Sequence, residues 1–161
     1  MRNDNTRMNG CGDPVGYVLD RKMAGVPGEK YQYTSGLSIL LGAILKNTTG
    51  LTASQFAAQH LFAPMGITEH RWWSTPDGTC HTGGGLTLRP RDFAKIGLML
   101  LNDGMWNTKR VVPASWVQES TSRQTRPDDY GYGYLWHIRP FTIGGARPYE
   151  RMERYILPAA M

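Results

Sequence analysis

Tyr33-Thr34-Ser35 sets a phenol and a hydroxyl two positions apart at the head of an apolar run, and five lysines, four histidines and two cysteines are further groups able to do chemistry. A tyrosine with its ordinary pKa of about 10 acts as a base near neutral pH only beside an ammonium that favours the phenolate or relays the proton. By itself Tyr33 is a core or loop aromatic. A serine nucleophile announces itself locally, as S-x-x-K or as a G-x-S-x-G elbow. The lysines are Lys22, Lys30, Lys46, Lys95 and Lys109, and three residues before them stand Leu19, Pro27, Ala43, Asp92 and Trp106. None carries a hydroxyl, so the sequence holds no S-x-x-K. Ser38 has Gly36 before it but Leu40 after it, which excludes the elbow. His60, His70, His81 and His137 with Cys11 and Cys80 show neither C-x-x-C nor H-x-x-x-H spacing, and no metal or other cofactor is expected. Gly83-Gly84-Gly85 forms no phosphate-cradling loop and reads as a structural turn.

The elements around these groups are mostly helical. Asp13-Pro14 supplies a cap and a first-turn proline for a helix over about 14–23, with Val15, Val18, Leu19 and Met23 at helical spacing. Gly25, Pro27 and Gly28 turn the chain into an extended or looped Tyr31–Gly36. Leu37–Leu45 is apolar on nearly every side and predicts a buried helix ending near Thr49-Gly50, although a strand satisfies the same run. Thr52-Ala53-Ser54-Gln55 fits a capping box, opening a helix that should stop before Pro64. Residues 65–88 predict loop with strand pieces at Arg71-Trp72-Trp73 and Gly83–Leu86. Pro90 starts a helix with Phe93, Ile96, Gly97, Leu100 and Leu101 on one face, Asp92 in its first turn and Gly104 at its stop. Strand-like Arg110-Val111-Val112 precedes a helix over Pro113 to about Ser122, and Tyr130–Ile138 alternates small and aromatic residues like a strand. A lone strand leaves unpaired amides, so its sheet must come from elsewhere. The tryptophans Trp72, Trp73, Trp106, Trp116 and Trp136 are expected to fill a core.

Composition narrows the class. With 161 residues, 40% apolar and 19% charged, the chain is globular with one core. The formal charge of +5 is spread over Arg21/Lys22, Arg89/Arg91, Lys109/Arg110, Arg123/Arg126 and Arg147–Arg154, so no run marks a nucleic-acid site. Leu37–Leu45, the longest apolar run, is far below the roughly 20 residues of a membrane span, and Met1–Asn5 leads into no signal-peptide apolar region. Cys11 and Cys80 read as ordinary thiols.

The order of signals is more specific than any one of them. Tyr33-Thr34-Ser35, the Leu40-Leu41-Gly42 helix, Thr49-Gly50, Pro64-Met65-Gly66, Gly84-Gly85-Leu86, Asp92-Phe93 and Tyr130-Gly131-Tyr132-Gly133 follow one another as in the β-lactamase-related serine hydrolases, which this sequence resembles from about Asp13 to Ile138. That family takes in penicillin-binding proteins, class C β-lactamases and esterases. The resemblance implies an α+β fold, helix-dominated here, in which the chain covers part of a β-lactamase/transpeptidase-like architecture: its helical region and a few strands of an antiparallel sheet. It also implies acyl-enzyme chemistry on ester or amide bonds, including β-lactams. An S-x-x-K serine attacks the carbonyl, its lysine and the tyrosine of a Y-x-N or Y-x-S motif move the proton, and backbone amides hold the oxyanion. Tyr33 and Ser35 match that second motif, Tyr33 in the proton relay and Ser35 orienting substrate or the lysine.

The departures are as informative. In the family the S-x-x-K lies well upstream of Y-x-S, and only 32 residues precede Tyr33. The K-[ST]-G or H-x-G that should follow the aromatic strand is absent, and His81-Thr82-Gly83 spells H-x-G ahead of the Gly-Gly-Leu block, out of order. Leu88-Arg89 replaces the usual Ser/Thr cap before Pro90, a loss of about 1 kcal/mol. The expectation is therefore one partial domain over 1–161 with a divergent tail at 139–161, inactive alone for want of the nucleophile. The other reading is a non-catalytic binding or interaction module derived from that fold. The partner implied is a small ester or amide substrate, with no nucleic acid and no membrane segment. Family members are often periplasmic or secreted, but compartment and oligomeric state are not legible.

Overall fold

A computed structural model describes residues 5–29, 31–75, 78–124 and 131–138. The chain forms two compact units, Met1–Arg89 and Pro90–Met161. Helices dominate both, each with one small antiparallel sheet, as expected of a helix-rich α+β chain. The stretch 139–161, read as a divergent tail, lies outside the described residues, as do Lys30 and Tyr130.

The first unit opens with α1 (Asn5–Gly10), which the sequence pattern did not announce, and α2 (Pro14–Leu19). Asp13 caps α2 by accepting from the Gly16 amide at 2.8 Å, and Pro14 sits in the first turn, where its missing N–H is no loss. The helix ends four residues short of the expected Met23. Its carbonyls are closed off by the Asp20 amide, and Leu19 and Met23 are exposed, so no apolar face extends it. α3 (Ser35–Thr49) starts with Thr34 as cap, its hydroxyl accepting from Gly36 N at 3.3 Å, and stops at Gly50, whose φ of 74° is the left-handed conformation glycine adopts without strain. Only Gly36, Ile39 and Gly42 of α3 are buried, whereas Leu37, Leu41 and Ile44 are 55%, 50% and 56% exposed. The expected all-round burial is thus corrected to one buried face, and the exposed leucines and isoleucine follow one another at i, i+4 and i+7 along the opposite stripe.

The capping box forms in full at α4 (Ala53–Ala57): Thr52 Oγ1 accepts from Gln55 N at 3.3 Å and Gln55 Oε1 accepts from Thr52 N at 2.9 Å. The helix does not stop before Pro64. It widens into a π-turn over Ala58–Phe62 and tightens into a 3-10 turn over Ala63–Met65, which seats Pro64 where its missing N–H costs nothing. Phe62, Met65 and Ile67 are buried there, at the core of the unit. β1 (His70–Trp72) and β2 (Leu86–Leu88) then pair antiparallel, with Arg71 opposite Thr87, and the pairing continues past β1 through a bridge between Ser74 and Cys80.

In the second unit α5 (Pro90–Leu101) buries Asp92, Met99 and Leu100 while Phe93 and Leu101 of the expected apolar face are exposed, and three residues past its end Gly104, φ 88°, returns its amide to Met99 O at 2.9 Å. β3 (Met105–Trp106) and β4 (Lys109–Arg110) form a hairpin, and α6 (Ala114–Ser120) packs its Val117 inward. The strand expected over Tyr130–Ile138 is instead a tight reversal among its described residues. Tyr132 bridges His137, Leu135 turns at φ 66°, and Gly133 lets the carbonyls of Ser120 and Ser122 approach where a side chain would collide. The glycines that gave the alternation serve close backbone approach, not a pleat. The tryptophans do not fill a core either: Trp73, Trp116 and Trp136 are exposed and Trp72 and Trp106 half-buried.

Candidate active site

Tyr33, Thr34 and Ser35 lie at the entry to α3. Thr34 is extended, at φ −149° and ψ 132°, and Ser35 is the first helical residue. This change of backbone state turns Tyr33 outward, 60% exposed, and leaves Ser35 half-buried beside it. The two residues singled out from sequence thus flank the capping Thr34, Tyr33 largely exposed and Ser35 in the first turn of α3. Tyr31, two residues before Tyr33, has its phenol pushed up from the usual range, first by burial and then by the charge of Tyr33 nearby.

A second segment, His81–Gly85, closes over this helix start. Trp72 donates its indole N–H to the carbonyls of His81 and Gly84, both at 3.0 Å, which pins the segment to β1. The Thr82 hydroxyl donates to Ser38 O, and Thr82 fills the space that a side chain at Gly42 would need. Gly83 packs against Ser35 so closely that an added methyl would stand 3.0 Å from Ser35 Cβ and 3.2 Å from His81 Cε1. His81 is 6% exposed, its Nε2 donating to Asn9 Oδ1 at 2.9 Å and its ring 4.9 Å from that of Trp73. Gly85, at φ 77°, leaves room for the Trp73 Cβ beside it.

Sequence reasoning treated the glycine block as a turn and set His81 aside because its H-x-G stands out of order. The signal it missed is tertiary. A Gly-rich segment, flanked by a tryptophan that can staple it, approaches a helix whose glycine, Gly42, is spaced to receive it. Among the described residues no group of three or more His, Cys, Asp or Glu side chains comes together as a metal site, and Cys11 and Cys80 are free thiols. A shallow groove of about 460 Å³ lies between Thr68–Arg71 and Thr87–Arg89, but Arg89 is already paired with Glu69 there.

The β-lactamase family model matches residues 2–152 of this sequence. The chain belongs to the β-lactamase family. A 6-aminohexanoate-dimer hydrolase from Paenarthrobacter ureafaciens is 27% identical over 125 residues, 73% of this chain and 32% of the relative. Among solved structures, a 6-aminohexanoate-dimer hydrolase candidate from Bacillus anthracis matches with a TM-score of 0.63 at 22% identity, over 73% of this chain and 30% of its own. A penicillin-binding protein from Bacillus halodurans matches at a TM-score of 0.57 and 18% identity, over 71% and 42%. This β-lactamase-family chain thus spans about a third of its relatives' length. Its fold is part of the β-lactamase/transpeptidase-like architecture, as the sequence order of motifs implied.

Proposed function

We propose that Tyr33 and Ser35 are the second-motif residues of a serine hydrolase that cleaves ester or amide bonds through an acyl-enzyme. Tyr33 moves the proton of the nucleophile or leaving group, and Ser35 orients the substrate or the lysine. The observation that carries this reading is the exposed Tyr33 at the mouth of a helix start locked in place by His81–Gly85, in a chain of the β-lactamase family. The serine and lysine of S-x-x-K, absent from these 161 residues, come from the part of the fold this sequence does not contain. The 161-residue chain by itself is therefore inactive. β-Lactams, peptides and simple esters share the carbonyl chemistry invoked, and the 6-aminohexanoate-dimer hydrolase relative favours a linear amide.

Intact-mass measurement after incubation with a fluorophosphonate or a penicillin is expected to show no adduct on the isolated chain. Supplying the complementary S-x-x-K region of a relative should restore ester hydrolysis, and Tyr33→Phe should then reduce it by about 10²–10⁴-fold, the range for removing a positioned acid or base. A stoichiometric adduct on the isolated chain would overturn its inactivity, and restored hydrolysis indifferent to Tyr33→Phe would overturn the catalytic assignment. An interaction module complete in itself should close its apolar surface, and the exposed Leu37, Leu41 and Ile44 speak against it.

A further inference from the structure

His81 is the one buried imidazole among the described residues, and only one of its nitrogens is accounted for. Nε2 faces Asn9 Oδ1, an acceptor, so in the neutral ring the tautomer that makes this bond has its proton on Nε2 and a lone pair on Nδ1. Nδ1 is buried and has no hydrogen-bond partner. Buried acceptors are rarely left unmade, because water has been removed and nothing replaces it. The ring cannot turn away to find another partner, being held by Asn9 on one side and Trp73 on the other. What lies beside it is the start of α3. The point where a Gly83 side chain would stand is 3.0 Å from Ser35 Cβ and 3.2 Å from His81 Cε1, the ring carbon between the two nitrogens, and a side chain at Gly84 would stand 4.0 Å from Nδ1 itself. The absence of a Cβ at residue 83 is what lets these two side chains share one gap.

We propose that His81 is a positioning residue for Ser35: rotation of the Ser35 hydroxyl into the gap at Gly83 makes it donate to His81 Nδ1, which fixes the polarity of Ser35 toward the site. Ser35 has a single proton to give. Once that proton is directed at His81, only the oxygen lone pairs face Tyr33 and the substrate, so Ser35 selects an N–H donor, an ammonium or the N–H of an amide substrate, and disfavours a carbonyl oxygen. Asn9, Trp72 and Thr82 serve this arrangement by holding His81 and its loop against α3. The consequence for substrate choice rests on the reading of Tyr33–Ser35 as the second motif; the His81–Ser35 contact does not.

The test is nitrogen-15 NMR of the histidine side chains in the whole 161-residue chain. The His81 Nδ1 resonance is expected upfield of a bare imidazole lone pair, and Ser35→Ala should move it downfield while leaving Nε2 in place. Gly83→Ala, which wedges the two side chains apart, should do the same, and Asn9→Ala should move Nε2 instead. Ser35→Cys keeps the shape with a weaker donor and should give an intermediate position, which covers the case of an unstable alanine variant. A Nδ1 signal already at the bare position, or one indifferent to every substitution at Ser35, overturns the proposal. If the NMR contact holds but the complemented enzyme is indifferent to Ser35→Ala in KM and kcat for both amides and esters, the contact stands and the second-motif reading fails.

Discussion

Thr82 donates its hydroxyl to the carbonyl of Ser38 and lies directly over Gly42, one helical turn further along α3. A methyl added at Gly42 would sit 2.7 Å from both Thr82 Cγ2 and Thr82 Oγ1. The close approach of the His81–Gly85 segment to α3 therefore depends on a missing side chain on the helix and a small branched one on the loop.

Gly42→Ala sets two effects against each other. Alanine favours a helix interior by about 1 kcal/mol over glycine, while overpacking at such a contact costs about 1–3 kcal/mol. Because the contact is on both branches of Thr82, the packing loss should prevail and urea denaturation should show net destabilisation. Thr82→Ala in the Gly42→Ala background should recover stability, and a double-mutant cycle should give a coupling of about 1 kcal/mol or more. Additive effects would mean that the loop is not seated on the helix in solution.

Thr52→Ala removes one half of the reciprocal cap on α4 and leaves the amide of Gln55 without its acceptor. A loss of about 1 kcal/mol in chemical denaturation with an unchanged m-value is expected. Thr52→Ser should retain most of the stability, because the hydroxyl rather than the methyl does the capping.

These two sites differ in how far sequence alone announces them. Thr52 and Gln55 are three residues apart and meet within one helical turn, so their pairing follows from spacing. The helix after Gly36 was legible from its apolar run, but its start at Ser35 and its Thr34 cap were not, because Tyr31–Gly36 reads only as extended or looped. Thr82 and Ser38 are 44 residues apart, and nothing local in either predicts the other. The exposed stripe of α3 was hidden in a different way. Apolar residues on every side of 37–45 announce a buried segment, helix or strand, but which side is covered depends on what packs against it. The aromatic–glycine alternation at 131–138 misled because period two arises both from a pleat and from glycines placed for close approach.

Tyr31 should ionise late. Its phenol is raised first by burial and then by Tyr33, so in an alkaline titration of tyrosinate absorbance one phenol should titrate above the ordinary value of about 10. Tyr31→Phe should remove that phase, and Tyr33→Phe should bring it down by less than the full shift. The linkage sign follows. With a folded pKa above the unfolded one, the folded chain keeps a proton that the unfolded chain has lost. Tyr31 therefore adds no pH dependence below the unfolded pKa, where its contribution is fully present, and that contribution is lost as pH rises from there through the folded value. Tyr31→Phe should accordingly flatten the alkaline decline in denaturation midpoint and leave the neutral region's pH slope unchanged.

The two thiols should part company in reactivity. Cys80 is 4% exposed, and burial pushes its thiol up, against a smaller opposing effect of a hydrogen bond from the Ser54 backbone. Cys11 is half-buried, with its Sγ donating to Met8 O at 3.0 Å. Since the thiolate is the reacting species and must also be reached, a disulfide reagent at neutral pH should modify Cys11 first and Cys80 more slowly by about tenfold or more. Cys11→Ser isolates the slow phase, and its rate should rise to that of a free thiol in denaturant. Cys80 should also withdraw stability as pH climbs from the unfolded thiol value of about 8.5 toward its raised folded value, the same sign as for Tyr31. Equal rates for both thiols in the native chain would mean that the bridge between Ser74 and Cys80, which carries the start of the His81–Gly85 segment, opens freely.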